Sequence, residues 1–154
     1  MQIGFGSGET AHILTTYDNV DRVDLVEISQ SVLDTSSQFF RDINHDVVKH
    51  PKFHPYIMDG ANYLRLTDKK YDVIMNDSIW PFYAGNSGLY TKDYFKAGRA
   101  HLKEGGFMTS WLPLQIDPED FKILLNTFRS VFPHVSVWVA MTHFNKHEIG
   151  RAHV

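Results

Sequence analysis

The chain has 154 residues, 43% hydrophobic and 14% aromatic, with a formal net charge of −3 and no cysteine. That length and apolar content suit one α/β domain with its own core and exclude a disordered chain. The charge argues against a general nucleic-acid coat, and the missing cysteines exclude disulfides, thiolate metal sites and a cysteine nucleophile.

In chain order, Met1–Phe5 reads as the remnant of a first strand, ahead of the glycine loop Gly4-Phe5-Gly6-Ser7-Gly8. A doubly wound domain normally puts that strand at its centre, so further residues are expected upstream. Glu9–Thr16 reads as a short helix and Arg22–Ile28 as a valine-rich strand. Ser29 can cap a helix whose Val32, Leu33, Ser36, Phe39 and Phe40 share one face. Asn44–Phe53 is polar and His-rich and reads as a loop, with Phe53–Met58 a third strand. Asp59-Gly60 marks a turn before a short helix at Ala61–Leu66. Tyr71–Asn76 is a largely apolar run typical of a buried parallel strand.

Asp77–Gly88 holds Pro81 and the aromatics Trp80, Phe82 and Tyr83, and reads as a loop. Thr91–Leu102 is expected to be a helix stopped by Glu104-Gly105-Gly106, and Phe107–Leu112 a fifth strand. Asp117-Pro118-Glu119-Asp120 starts a helix: a cap, a proline at the first helical position, then acids in the first turn. Phe121, Leu124, Leu125 and Phe128 form its expected buried stripe, Pro133 ends it, and Val135–Met141 is a sixth strand. The fold class is therefore α/β: a doubly wound, mostly parallel, Rossmann-like sheet with right-handed crossovers. Residues 1–148 form one expected domain, short at its N-terminus and at its C-terminus. Residues 149–154 read as a non-native tail, because Ile149-Gly150-Arg151-Ala152-His153-Val154 is one reading frame of a widely used sequencing adapter.

The glycine loop and Glu27 carry the functional reading. A tight glycine turn lets backbone approach a ligand, and a helix opening behind it presents N–H groups. Glu27 stands 19 residues past Gly8, where the second strand of a βαβ unit ends and an acid can hold ribose hydroxyls. A dinucleotide site favours G-x-G-x-x-G, but the third glycine position from Gly4 is Glu9. The pattern G-x-G-x-G suits a nucleoside without a pyrophosphate, such as an adenosyl group. The alternative is an ordinary strand-to-helix turn. Ligands of such sheets sit beyond the carboxyl ends of the strands. The glycine loop, Glu27, Asp59 and Asp77 all fall there.

At these residues the chain resembles the spermidine/spermine synthase family, the polyamine aminopropyltransferases. The resemblance covers nearly all of residues 1–148. It rests on Ile3-Gly4-Phe5-Gly6-Ser7-Gly8, Val26-Glu27-Ile28, Met58-Asp59-Gly60, Val73-Ile74-Met75-Asn76-Asp77-Ser78, Leu89-Tyr90-Thr91 and Leu102-Lys103-Glu104-Gly105-Gly106. It implies a class I methyltransferase fold. It also implies a transferase that moves an aminopropyl group from decarboxylated S-adenosylmethionine to an amine such as putrescine. By resemblance, Gly4, Gly6, Ser7, Gly8, Glu27 and Ile28 line the nucleoside, and Asp59 with Gly60 reads the adenine edge. Asp77 takes the proton of the attacking amine, with Ser78, Trp80 and Tyr90 around the substrate. Two positions depart from the family pattern: Ser7 and Trp80 stand where it has acids.

The expected co-substrate is decarboxylated S-adenosylmethionine or S-adenosylmethionine itself, with no tightly bound cofactor. Rival readings are an S-adenosylmethionine-dependent methyltransferase and an inert nucleoside-binding domain. Asp77 also has a bland reading, as a cap after the fourth strand. Trp80, Phe82 and Tyr83 can wall a substrate pocket or cover a sheet edge. Lys92, Lys96, Arg99 and Lys103 read as a solvated helical face. Trp111 and Trp138 read as core. Nine histidines raise a metal site, with His143 and His147 at i, i+4 spacing and His45, His50 and His54 in one segment. No metal-binding pattern supports one, so none is expected. The expected partner is a small amine, not nucleic acid. No apolar run approaches the roughly 20 residues that span a bilayer, and no signal peptide is visible. The expected location is the cytoplasm; a homo-oligomer and a longer membrane-fused form are both compatible with the sequence.

Overall fold

Continuous burial along Val23–Glu27 organises the first part of the molecule. The structure, a computed structural model, describes residues 1–78, 80–83, 85–113, 115–138 and, as backbone alone, 151–153. The chain divides into two units, Met1–Leu66 and Thr67–Val154.

In the first unit, β2 (Val23–Glu27) lies between β1 (Gln2–Ile3) and β3 (Phe53–Ile57), both parallel to it. Ile3 stands opposite Val26, and Glu27 opposite Ile57. A strand flanked on both sides and covered on both faces needs apolar side chains on each face. Asp24 is the exception at the strand's middle, and the guanidinium of Arg22 pairs with its carboxylate at 2.6 Å. The helices are α1 (Glu9–Thr16), α2 (Gln30–Phe39), α3 (Arg41–Asn44) and α4 (Gly60–Leu66). Phe5, Ala11, Leu25, Leu33, Val47 and Phe53 form the core, which joins the glycine loop, α1, β2, α2 and β3. Burying each large apolar side chain there is worth about 1.5–3 kcal/mol.

Two expectations change in this unit. The segment 44–53 is not a plain loop: α3 ends at Asn44, and Val47–Lys49 forms a 3-10 turn. Val47 drives this by burying itself in the core, while the polar residues beside it stay near water. Along α2, Leu33 and Ser36 are buried, but Phe39 and Phe40 are exposed. Phe39 is the last residue of the helix and Phe40 its cap, and the buried stripe ends one turn earlier, at Ser36.

In the second unit, β4 (Tyr71–Asn76) pairs in parallel with β5 (Leu102–Trp111). On the other side of β5, the backbone of β6 (Arg151–His153) runs antiparallel. β5 begins earlier than its sequence suggests. Tyr71 faces Leu102 and Val73 faces Phe107, so Lys103–Gly106 bulges out of the ladder. Gly105 adopts φ +73°, and a Cβ on Gly106 would lie 2.8 Å from the carbonyl oxygen of Asp72. The glycine pair that reads as a helix stop is thus a bulge inside a strand.

Helix α5 (Lys92–Ala100) ends two residues before its expected limit, and the Thr91 hydroxyl caps it by accepting the Tyr94 N–H at 3.2 Å. Helix α6 (Pro118–Arg129) starts as expected, with the Asp117 carboxylate accepting the Glu119 N–H at 2.8 Å. Of the expected stripe on α6 only Phe128 is fully buried. It stacks on Phe132 and tilts against Phe95, which is itself buried. Lys103 belongs to β5 rather than to the basic helical face, and it pairs with Asp72. Val135–Trp138 is not a strand, and the rest of the expected sixth strand, like His143 and His147, lies outside the described residues. Trp138 is exposed rather than core, and Trp111 is half-buried.

Among the described residues, no helix is long and apolar enough to cross a membrane. None of their His, Asp and Glu side chains gather in a group of three placed to hold a metal ion.

Candidate functional site

The glycine loop connects β1 to α1, and its three glycines adopt φ values of +90°, +56° and +86° at Gly4, Gly6 and Gly8. Side chains rarely tolerate this left-handed region, which is why the chain spends glycine there. Gly8 has a second reason. A Cβ on it would lie 2.6 Å from the Phe5 ring and 2.9 Å from the Asn44 Cβ.

Glu27 ends β2 directly beneath this loop and is 7% exposed. One carboxylate oxygen accepts the Phe5 N–H at 2.9 Å, and the other accepts the Ser29 N–H at 2.9 Å. The acid therefore ties the glycine loop to the turn that opens α2. Each carboxylate oxygen has a second acceptor direction, so this bonding leaves capacity for two hydroxyls of a ligand. The loop and the acid, both expected at the ligand edge, are hydrogen-bonded to each other.

Ile28 follows Glu27 and is 71% exposed, and Ile57 and Met58 at the end of β3 are also exposed. Three exposed apolar side chains at the carboxyl ends of two adjacent strands can cover the faces of a flat ring. Asp59 has a structural task of its own: its carboxylate accepts the Asn62 N–H at 2.8 Å and so caps α4. Gly60 is buried against Ile3, where a Cβ would lie 2.8 Å from Ile3 Cγ2. Gly60 thus holds α4 close to β1, and Asp59 keeps a half-buried position beside it.

The same unit holds a contact that histidine counting alone did not suggest. The rings of His12 and His45 lie 4.3 Å apart. Burial lowers the His12 pKa below its ordinary value of 6.5, and charge on His45 and His50 lowers it further. A histidine with a depressed folded-state pKa binds fewer protons folded than unfolded, so falling pH favours the unfolded chain. Stability should drop as pH falls through the ordinary histidine range, then level off once folded His12 itself protonates. Thermal unfolding followed between about pH 8 and pH 5 should show this slope, and His12→Gln should flatten it.

In the second unit, Asp77 follows the carboxyl end of β4 and is half-buried. Beside it, the buried Ser78 hydroxyl donates to the Tyr90 oxygen at 3.3 Å, and the Tyr90 hydroxyl donates to the Trp111 carbonyl at 3.1 Å. Burial pushes the Tyr90 phenol up to about 12, the Asp77 charge pushes the same way, and the Ser78 hydrogen bond opposes both. Tyr90 therefore stays protonated at neutral pH and acts as a donor. Being buried and bonded, it braces the loop after β4 rather than offering an open surface.

Asn76 supports the same loop from below. Its side-chain amide donates to the Leu89 carbonyl at 3.0 Å and to the Ser110 hydroxyl at 3.4 Å. Trp80 sits in a different cluster: its ring meets Phe82 edge-on at 6.4 Å, and its carbonyl accepts from the Asn86 amide at 3.1 Å. Phe82 and Tyr83 are exposed. A cavity of about 660 Å3 in this unit is lined by Arg99, Leu102, Phe107, Phe132 and His134, and carries none of the expected site residues.

Comparison with known proteins decides the family. The spermine/spermidine synthase domain profile matches residues 1–147. The chain belongs to that family. A polyamine aminopropyltransferase of Alkaliphilus oremlandii is 33% identical over 108 residues, covering 70% of this chain and 37% of that protein. One from Streptococcus pneumoniae is 32% identical over 106 residues, covering 69% and 36%. The chain thus spans well under half the length of these curated relatives. Family likeness extends to solved structures. A spermidine synthase from Thermotoga maritima superimposes with a TM-score of 0.84 at 25% identity, covering 98% of this chain and 51% of that one. A spermidine synthase in complex with the transition-state analogue AdoDATO gives 0.82 at 24% identity, covering 98% and 50%. Human methyltransferase-like protein 13, in complex with SAH, gives 0.76 at 20% identity and shares the fold. The Rossmann-like methyltransferase fold expected of the chain is therefore the one it has.

The residues that pattern reading missed are polar and internal: Gln2, Ser36, Asn44 and Asn76. Ser36 carried a faint signal as a hydroxyl inside an apolar stripe. Asn44 carried none, since its partners are backbone atoms, which leave no mark in the sequence.

Proposed function

We propose that the chain is the nucleoside-binding and amine-activating part of a polyamine aminopropyltransferase. The observation that supports this best is the Glu27 carboxylate, held by the N–H groups of Phe5 and Ser29 at a three-glycine turn. On this reading the donor is decarboxylated S-adenosylmethionine. Its ribose hydroxyls bind Glu27, its adenine lies among Ile28, Ile57 and Met58, and Asp59 reads the ring edge. The acceptor is an amine such as putrescine. The nitrogen lone pair attacks the aminopropyl carbon next to the sulfonium, the carbon–sulfur bond breaks, and its electron pair stays on sulfur. Methylthioadenosine leaves, and the proton from nitrogen passes to Asp77. Carboxylates near a cationic donor and an amine also favour both by Coulomb attraction.

The test is product analysis by mass spectrometry, with decarboxylated S-adenosylmethionine or S-adenosylmethionine and a panel of amines. Methylthioadenosine and an aminopropylated amine should appear with the first donor. Methyl transfer from the second donor, with no aminopropyl product, would replace this reading by the methyltransferase one.

A further inference from the structure

We propose that Ser36 and Asn44 are positioning residues that hold the glycine loop in its ligand-ready shape; the inference rests on the nucleoside reading of that loop. The loop carbonyls are each taken by a protein donor. The Gly4 carbonyl accepts from the Gln2 side-chain amide at 2.8 Å, and the Phe5 carbonyl accepts from the Gly8 N–H at 2.9 Å. The Gly6 carbonyl accepts from the Ser36 hydroxyl at 2.5 Å, and the Ser7 carbonyl from the Asn44 amide at 2.9 Å.

On the donor side, the N–H groups of Gly4, Phe5 and Gly8 are also committed to the protein. Among the described residues no protein acceptor takes the N–H of Gly6 or Ser7. The loop is thereby built to offer donors and to withhold acceptors, which suits a ligand that presents acceptor atoms, such as the ribose oxygens of a nucleoside.

Ser36 and Asn44 pin the carbonyls of Gly6 and Ser7, the same residues that carry those two N–H groups. They are 4% and 1% exposed and come from α2 and α3. They are also joined to each other: the Asn44 amide donates a second bond to the Ser36 carbonyl at 2.9 Å. The Asn44 oxygen accepts the Asp46 N–H at 3.1 Å, which helps hold His45 and Asp46 at positive φ. The carboxylate of Asp46 is in turn gripped by the Arg41 guanidinium at 3.0 and 2.7 Å. The pins therefore stand on a fixed base.

Glycines have no side chain to pack, so nothing local sets the dihedrals of Gly4, Gly6 and Gly8. A loop of three glycines is the softest kind of backbone, and ordering it on binding would weaken affinity. Pinning two successive carbonyls from a buried scaffold removes that cost before the ligand arrives. This gives Ser36 and Asn44 a role in affinity that their distance in sequence from the loop conceals.

The experiment compares wild type with Ser36→Ala, Ser36→Thr and Asn44→Asp in the whole chain. The readouts are calorimetric binding of methylthioadenosine and backbone amide exchange. Ser36→Ala removes one hydrogen bond and should weaken binding roughly three- to tenfold. Ser36→Thr keeps the hydroxyl and should restore affinity. Asn44→Asp removes both amide donors and should weaken binding at least as much. In each weakened variant the Gly8 amide, bonded to the Phe5 carbonyl, should exchange faster, while those of β2 keep their protection. A purely structural loss would lower global stability without this local pattern. Wild-type affinity and unchanged loop exchange in Ser36→Ala would overturn the proposal. If the wild type binds no methylthioadenosine, the nucleoside reading falls; loop exchange in Ser36→Ala then still decides whether the clamp holds the loop.

Discussion

Replacing Glu27 with alanine should weaken methylthioadenosine binding about ten- to hundredfold, as expected when roughly 1–3 kcal/mol of paired polar contact is lost. Two losses combine. On the proposed reading the ligand hydroxyls lose their acceptor, and the N–H groups of Phe5 and Ser29 lose the carboxylate that now takes them. Glu27→Gln separates these effects. Its amide oxygen can accept one N–H, but its NH2 group opposes the other, so it should fall between wild type and Glu27→Ala. Calorimetry gives the affinities, and thermal unfolding shows how much of the loss is structural. A folded Glu27→Ala protein that binds with wild-type affinity would remove Glu27 from the site.

Parts of this site were legible because they obey short-range rules. Left-handed turns need glycine, so Gly4, Gly6 and Gly8 announce the loop. The strand after the first helix must end near its carboxyl edge, so spacing alone points to Glu27. The start of α6 was equally readable, because Asp117 and Pro118 act on backbone groups within one turn. Element order followed from the alternation of apolar runs and helical faces.

The failures came where distant residues set local structure. Glu104-Gly105-Gly106 has the composition of a helix stop. What decides its state is the carbonyls of Tyr71 and Asp72, which crowd Gly106 across the ladder and admit no side chain. Val47 looks like an isolated apolar residue in a polar stretch. Its burial against the core converts a nominal loop into an ordered turn. His12 and His45 are 33 positions apart in sequence yet their rings lie 4.3 Å apart, so no spacing rule relates them. The clamp on the glycine loop was invisible for the same reason. Ser36 and Asn44 bond to backbone oxygens, and a backbone oxygen leaves no mark in a sequence.

Asp77→Asn should leave donor binding intact and lower turnover by about 10²–10⁴, the usual effect of losing a general base. The choice of Asp77 follows from the family resemblance and from its place after β4, and its neighbours do not compete for the role. Residues 71–91 contain two carboxylates, Asp72 and Asp77. Asp72 is exposed, and the ammonium of Lys103 at 2.8 Å holds its pKa below the usual carboxylate value. Lying at the amino end of β4, it is also on the wrong edge for a ligand beyond the strand's carboxyl end. Tyr90 cannot serve instead, because its phenol stays protonated to about 12 and its hydroxyl is already engaged. Asparagine keeps the shape of Asp77 and loses the proton acceptor, so the nitrogen of the acceptor amine stays protonated and unreactive. The measurement is product formed per unit time from decarboxylated S-adenosylmethionine, set against methylthioadenosine affinity in the same variant. Wild-type turnover in Asp77→Asn would show that the proton leaves by another route. Equal loss of turnover and affinity would make Asp77 a binding residue, since a base acts on the reacting amine and not on the nucleoside.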